Sequence, residues 1–140
     1  MREIKFRGLT TKEDWVIGSL VVTDSFLKNM PKQHSKNWIV TSSFGNGGWF
    51  NIRGRTYVKE KTVGQFTGKK DKDGIDIFQD DLIQNESGRI GRVLWNGNCL
   101  SWDSFAVNCS GGYFGMNPAH WSECVKVIGN AHDNPELSYN

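Results

Sequence analysis

The side chains with the clearest chemical potential are cations and aromatic rings that interleave in the middle of the chain. Four cations occupy nearly alternate positions just after two aromatic residues: Trp49, Phe50, Arg53, Arg55, Lys59 and Lys61. Alternate positions of a strand place their side chains on one face. Cations neutralise phosphates and aromatic rings stack on unpaired bases, so this pattern predicts a groove for single-stranded nucleic acid or RNA. It also fits the solvated outer face of a strand whose aromatic residues point into the core.

Further cations flank two predicted hairpins. Lys69, Lys70 and Lys72 lie on the loop side of the first hairpin, and Arg89 and Arg92 flank the second. The predicted nucleic-acid-binding set joins two of these lysines to the earlier residues: Trp49, Arg53, Arg55, Lys59, Lys61, Lys69 and Lys70.

Charge is unevenly distributed along the chain. Residues 1–72 hold 14 Lys and Arg against 6 Asp and Glu, whereas residues 73–140 hold 3 against 9. The two parts therefore carry +8 and −6, within a net charge of +2. Such asymmetry predicts either a basic face for nucleic acid or a complementary self-contact that forms a ring or a symmetric oligomer.

Acidic residues cluster between positions 71 and 81, which invites a cation-binding interpretation. An EF-hand loop needs Gly at its sixth position and Glu at its twelfth. Counted from Asp71, however, Gly74 is fourth and Leu82 is twelfth. Asp73-Gly74 between two alternating runs is instead typical of a tight hairpin turn. We therefore predict no metal site here.

Catalytic arrangements are equally incomplete. A thiol with a histidine base, or a pair of carboxylates, would have to come from Cys99, Cys109, Cys124, His120, Asp103 and Glu123. Nothing in the sequence around these residues would activate a nucleophile. Nothing there would give two carboxyl groups the different roles of acid and base or nucleophile either. We predict no catalytic residues, no cofactor and no enzyme, and a hydrolase with an unrecognised site remains the weaker alternative.

Composition favours a sheet protein. Aromatic residues make up 12 % of the chain and there are 16 glycines, which suits pleated surfaces joined by tight turns. Short apolar or alternating runs recur between turn signals such as Asn96-Gly97. The predicted strands are centred on Ile4–Phe6, Val16–Val22, Trp38–Phe44, Trp49–Ile52, Arg55–Val58, Val63–Gly68, Ile75–Phe78, Leu82–Ile83, Arg89–Trp95, Cys99–Trp102 and Val125–Ile128. A turn or short helix is predicted for 117–122, so the fold class is all-β, or mostly β with one or two short helices.

Three segments resemble the YopX family of phage and prophage proteins. They are REIKFRG (Arg2–Gly8), TVGQFTGKKDKDGIDIFQDDLI (Thr62–Ile83) and VKVIGNAHDNPEL (Val125–Leu137). The resemblance implies a phage or prophage origin and a compact β-rich fold. It implies no established activity and no catalytic residues.

The resemblance and the strand pattern together predict a single YopX-like domain over 1–140. Its N-terminal β part covers 1–62 with a variable insert at 24–58. The part at 63–140 resembles a small SH3-like barrel, because a short loop, the run at 88–95 and a tight Asn-Gly turn follow one another there.

The sequence therefore predicts an uncharacterised phage accessory protein that binds without catalysing. Its partner is expected to be a host or phage protein, or a second copy of itself, and the alternative is nucleic acid. The charged N-terminus lacks a secretory signal, the apolar runs are too short for a membrane span, and three cysteines make an odd count. These features predict the reduced cytoplasm of a bacterial host and no membrane partner.

Overall fold

A computed structural model describes residues 3–23, 36–41, 54–107 and 117–138. The chain divides into two compact units, Glu3–Gln65 and Phe66–Asn140. Within the described ranges, strands are the main element and helices are short. The predicted fold class, mostly β with one or two short helices, is confirmed. No helix in these ranges has the length and apolar character that a membrane crossing requires.

The N-terminal unit is an antiparallel sheet. Its hydrogen-bonded order is β4-β3-β2-β1, with the first residues of β5 next to β1. The strands are β1 (Phe6–Leu9), β2 (Trp15–Thr23), β3 (Lys36–Val40), β4 (Arg55–Val58) and β5 (Gly64–Lys70). Aromatic and β-branched residues dominate β2 to β4, which suits a pleated surface.

The chain leaving β4 returns to β1. The Lys59 amide donates to the Leu9 carbonyl at 2.8 Å, and the Leu9 amide donates to Thr62 Oγ1 at 2.9 Å. A 3-10 helix over Glu60–Thr62 follows directly. The sheet thus curls so that one of its faces encloses the fully buried side chains of Ile39 and Val58.

The C-terminal unit holds a second antiparallel sheet in the order β10-β7-β8-β9, and β5 pairs with β6. The strands are β6 (Asp76–Phe78), β7 (Asp81–Asn85), β8 (Ile90–Asn96), β9 (Ser101–Ala106) and β10 (Val125–Asn130). A 3-10 helix over Pro118–His120 runs into α1 (Trp121–Cys124), and α2 covers Pro135–Ser138. The described strands form an open order, so the predicted SH3-like barrel is not confirmed.

A single apolar cluster forms the core of the C-terminal unit. Alternation places side chains from one face of the β10-β7-β8-β9 sheet in this cluster, together with one residue each from α1 and β6. The buried members are Ile77, Ile83, Val93, Trp102, Trp121 and Val125.

The acidic cluster at 71–81 is structural. Asp71 Oδ1 accepts hydrogen bonds from the amides of Asp73 and Ile75, while its Oδ2 accepts from the Val127 amide at 2.9 Å. The turn predicted at Asp73-Gly74 is confirmed, since Gly74 has φ of +81° and its amide donates to the Asp71 carbonyl. Among the described residues, no three His, Cys, Asp or Glu side chains are grouped to hold a metal ion.

Several predicted boundaries differ from the structure. β1 begins at Phe6 rather than Ile4. β3 ends at Val40, and residues 42–44 of its predicted span lie outside the described residues. Cys99 and Leu100 belong to the turn, and β9 begins at Ser101. The hairpin predicted around 45–52 and most of the insert predicted at 24–58 lie outside the described residues.

Candidate binding face of the N-terminal sheet

One face of the N-terminal sheet combines aromatic, aliphatic and cationic side chains that are exposed or half-buried. Residues directly opposite each other on antiparallel strands share a face. The register sets Arg7 opposite Ile17, Val21 opposite Trp38, and Trp38 opposite Tyr57. We call this set the aromatic face, and its members are Arg7, Trp15, Ile17, Ser19, Val21, Trp38, Val40, Arg55 and Tyr57.

The centre of this face is a cluster of three side chains on β3 and β4. The rings of Trp38 and Tyr57 meet edge to face, with centroids 5.8 Å apart and planes at 74°. Arg55 Cζ lies 5.3 Å from the centroid of the Trp38 ring, within the range of a cation–π contact. Tyr57 is 38 % exposed and Arg55 is also exposed, so the cluster is open to a ligand.

A second cation–π pair lies on the same face. Arg7 Cζ is 4.9 Å from the centroid of the Trp15 ring. Trp15 stands on β2, two strands along the sheet order from Arg55 on β4, and Arg7 stands on β1, three strands along it. The aromatic face therefore repeats the combination of a guanidinium and an indole across the sheet.

The charge of the aromatic face is positive. Its nine positions include Arg7 and Arg55 and no Asp or Glu. The whole unit, Glu3–Gln65, carries ten Lys and Arg against five Asp and Glu, a balance of +5. An anionic ligand is electrostatically favoured on such a surface.

The structure separates the other cations predicted from the sequence. Arg55 is on the aromatic face, but β4 ends at Val58 and Lys61 lies in the 3-10 helix. The strand alternation predicted to carry Lys59 and Lys61 beside Arg55 is therefore wrong. Lys59 instead forms an ion pair with Glu13.

The remaining predicted positions lie elsewhere. Lys69 and Lys70 belong to the C-terminal unit, where both are exposed and Lys70 Nζ is 2.5 Å from Asp76 Oδ1. Trp49 and Arg53 lie outside the described residues. Nothing tests their assignment to a nucleic-acid site, which stays a prediction.

Arg92, beside the second hairpin, is bound to a buried carboxylate. Its Nε and Nη2 donate to Asp80 Oδ1 at 2.9 and 2.5 Å. His132 Nε2 lies 3.6 Å from Asp80 Oδ2. The Asp80 side chain is only 8 % exposed, so this guanidinium neutralises an internal charge rather than facing a ligand.

The sequence analysis missed Arg7, Trp15, Trp38 and Tyr57 as parts of a site. Trp15 and Ile17 are separated by one residue, and this spacing does indicate that they share one face of a strand. The assembly of the face, however, depends on which strands pair and in which register. The local periodicity of the sequence determines neither the strand pairing nor the register.

Comparison with known proteins matches this architecture to one family. The family model described as YopX protein matches residues 5–138. The chain belongs to the YopX family. The match covers nearly the whole sequence, so the predicted family is confirmed.

This YopX chain is similar in fold to the crystal structure of protein EF1440 from Enterococcus faecalis. The TM-score is 0.55 at 18 % sequence identity, and the similarity covers 99 % of each chain. At that identity the likeness shows a shared fold alone. No curated protein matches the sequence.

Proposed function

We propose that this YopX chain is a non-catalytic binding protein, a phage-encoded accessory factor in the cytoplasm of its bacterial host. Its ligand is single-stranded nucleic acid, held on the aromatic face. The observation that carries the proposal is the exposed cluster in which Arg55 lies over Trp38 and Tyr57 packs against the same indole.

The chemistry of the cluster suits unpaired bases. Trp and Tyr rings stack on any base, and alanine substitution of such a ring costs about 1–3 kcal/mol per base. The guanidinium of Arg55 supplies the charge that neutralises a neighbouring phosphate. Bases in a duplex are already stacked on one another, so the aromatic face should prefer single strands to duplex DNA.

A protein partner is the second candidate. Ile17 and Val21 are 48 % and 43 % exposed on the same face, and bases do not require aliphatic contacts. Trp, Tyr and Arg are also the residue types that dominate the energetics of protein interfaces. The excess of cations on the face would then select an acidic partner surface.

Fluorescence anisotropy distinguishes the two candidates. Labelled single-stranded DNA, RNA and duplex DNA are titrated with the protein at about 50 mM and about 200 mM salt. We expect tighter binding of single strands, and a steep loss of affinity with salt. Arg55→Glu should weaken binding by about tenfold or more, and Tyr57→Ala by about tenfold.

The matched control is Lys61→Glu, which makes the same change of charge in the same unit but off the strand. If the binding is located on the aromatic face, Lys61→Glu weakens it much less than Arg55→Glu. Equal losses would show diffuse attraction to the unit and would contradict the proposed site.

Absence of binding to any nucleic acid at the lower salt concentration would remove the first candidate. The second candidate is then tested by selecting peptides from a random displayed library. Enrichment of acidic sequences that bind wild type and Lys61→Glu, but neither Arg55→Glu nor Tyr57→Ala, would support a protein ligand. Failure to enrich them would reject it.

A further inference from the structure

The C-terminal unit contains an open groove that the proposed function does not use. It has a volume of about 360 Å³, within the range of small-molecule sites. It lies beside the β8–β9 turn, next to β5 and the 3-10 helix before α1. Its lining is Thr67, Lys69, Trp95, Leu100, Ser101, Trp102, Asn117 and Pro118.

Two indoles form an aromatic corner in this groove. Trp95 and Trp102 are directly opposite on β8 and β9, with centroids 5.2 Å apart and planes at 78°. Trp102 is 7 % exposed and belongs to the core, whereas Trp95 is 48 % exposed. At the edge of the core-facing side of the sheet, the Trp95 ring is thus accessible to a planar ligand.

Among the described residues that line the groove, the polar ones include hydrogen-bond donors and no carboxylate, and Lys69 is the only charged one. Asn117 Oδ1 already accepts from the Ala119 amide, which leaves the Asn117 amide group to donate. Trp102 Nε1 is buried and makes no hydrogen bond to the described residues. Such a lining fits a ligand rich in acceptors and negatively charged.

The rim of the groove adopts an uncommon backbone conformation. Leu100 has φ of +50° and is 75 % exposed. The left-handed region is unfavourable for a residue with a bulky side chain, and such positions concentrate at functional sites. The apolar Leu100 side chain, in contact with solvent, adds a second apolar wall beside Trp95.

We infer that this groove binds a nucleotide, with the base stacked on Trp95 and the phosphate held by Lys69. The exposed indole suits a planar ring, Lys69 suits a negative charge and the Asn117 amide group suits an acceptor atom, and a nucleotide combines all three. The same chemistry is presented by a free mononucleotide and by the terminal nucleotide of a strand.

Calorimetric titration with UMP, uridine and inorganic phosphate tests each part of the inference. We expect UMP to bind about tenfold more tightly than uridine or phosphate alone. Lys69→Gln should reduce UMP to the affinity of uridine, because only the phosphate contact is lost. Trp95→Ala should weaken both UMP and uridine by about tenfold.

Two controls distinguish a loss of UMP binding in the groove from misfolding and from an effect on the aromatic face. Lys69 is exposed, so Lys69→Gln should fold normally even if Trp95→Ala disturbs Trp102 and the core. Tyr57→Ala removes part of the aromatic face in the other unit and should leave UMP binding unchanged. Binding lost in Tyr57→Ala but retained in Lys69→Gln would overturn the assignment to the groove.

A 5′-phosphorylated oligonucleotide, compared with UMP, distinguishes the two sources. Tighter binding of the oligonucleotide with the same dependence on Lys69 indicates a strand end, and tighter binding of UMP indicates a free nucleotide. No heat of binding with any of these ligands at millimolar concentration, or phosphate bound as well as UMP, would overturn the inference.

Discussion

Asp71 shows how much structure one buried carboxylate can organise. It is 3 % exposed and accepts three backbone amides, two within its own turn and one from β10. The turn and a strand distant in sequence are thereby joined through one side chain. An acidic residue that resembles a cation ligand in the sequence is thus fully used as a hydrogen-bond acceptor.

We expect Asp71→Ala to lower the free energy of unfolding by about 3 kcal/mol, since it leaves three backbone donors without their acceptor. Urea denaturation followed by tryptophan fluorescence measures the change. The neighbouring Asp73 provides the control, because it is exposed and forms only a surface ion pair with Lys126 at 3.4 Å. Asp73→Ala should cost less than about 1 kcal/mol, and similar costs for both would contradict this role of Asp71.

Cations that look alike in the sequence have different surroundings in the structure. Arg92 neutralises the buried Asp80 carboxylate, and Lys70 pairs with Asp76. Arg55 lies over an exposed indole instead. A basic residue contributes to a binding surface only when its charge is not already matched inside the protein, and sequence spacing alone does not reveal that.

At the scale of elements, the N-terminal sheet depends on a close approach of β1 to the end of β4. A Cβ atom on Gly8 would lie 2.7 Å from Val58 Cβ, which is too close for two carbon atoms. Val58 is itself fully buried. The curvature that presents the aromatic face outward therefore requires a residue without a side chain at position 8.

Gly8→Ala should destabilise the protein by about 2 kcal/mol through overpacking. Val58→Ala alone should destabilise it through the cavity that it creates. In the double variant the contacts with the two Val58 Cγ atoms, at 2.8 and 2.9 Å, are removed while the contact with the retained Cβ persists. The loss should therefore be smaller than the sum of the two single losses by part of the cost of Gly8→Ala. Thermal or urea unfolding of the four proteins gives the coupling, and strict additivity would exclude this contact as the cause.

The elements most accurately predicted are those defined by local chemistry. Asp73-Gly74 and Asn96-Gly97 mark real turns, because the tight turns that join strands favour Asp, Asn and Gly. The predicted start of β9 at Cys99 is wrong, because local chemistry does not indicate the conformation of Leu100. Leu100 takes the left-handed conformation against its own preference, and this delays the strand to Ser101.

Pairings between distant strands could not be predicted from the sequence. β10 pairs with β7, and β1 pairs with β5. These contacts are fixed by packing across the whole unit rather than by neighbouring residues. For that reason the sequence identified Arg55 as a candidate site residue but not its neighbour Trp38. The second pair, Arg7 with Trp15, was likewise recognised only from the register of the strands.

At the scale of the whole molecule, the charge asymmetry does not translate into an acidic surface. The C-terminal unit, Phe66–Asn140, contains ten Asp and Glu against six Lys and Arg. Four of the ten are buried: Asp71, Asp80, Asp81 and Asp103. The six that remain face five cations, because the sixth, Arg92, is paired with the buried Asp80. The N-terminal unit, by contrast, carries +5 in its sequence.

This distribution bears on the self-association predicted from the sequence. Head-to-tail contact between opposite charges needs an acidic patch for the aromatic face to meet, and the buried carboxylates do not supply one. Two aromatic faces meeting each other would bring Arg7 and Arg55 of both copies together without carboxylates. The first arrangement therefore gains little electrostatic attraction, and the second is repulsive.

We accordingly expect the protein to remain monomeric, with a mass of 15.8 kDa in solution. Light scattering coupled to size-exclusion chromatography measures this at about 50 mM and at about 500 mM salt, where screening of surface charges differs strongly. A larger mass that dissociates with salt would mean that an acidic surface exists, and would restore the charge-driven oligomer. A larger mass that persists or grows with salt would point to an apolar contact through Ile17 and Val21. In that case Val21→Lys should return the protein to the monomer, whereas Lys61→Glu should not.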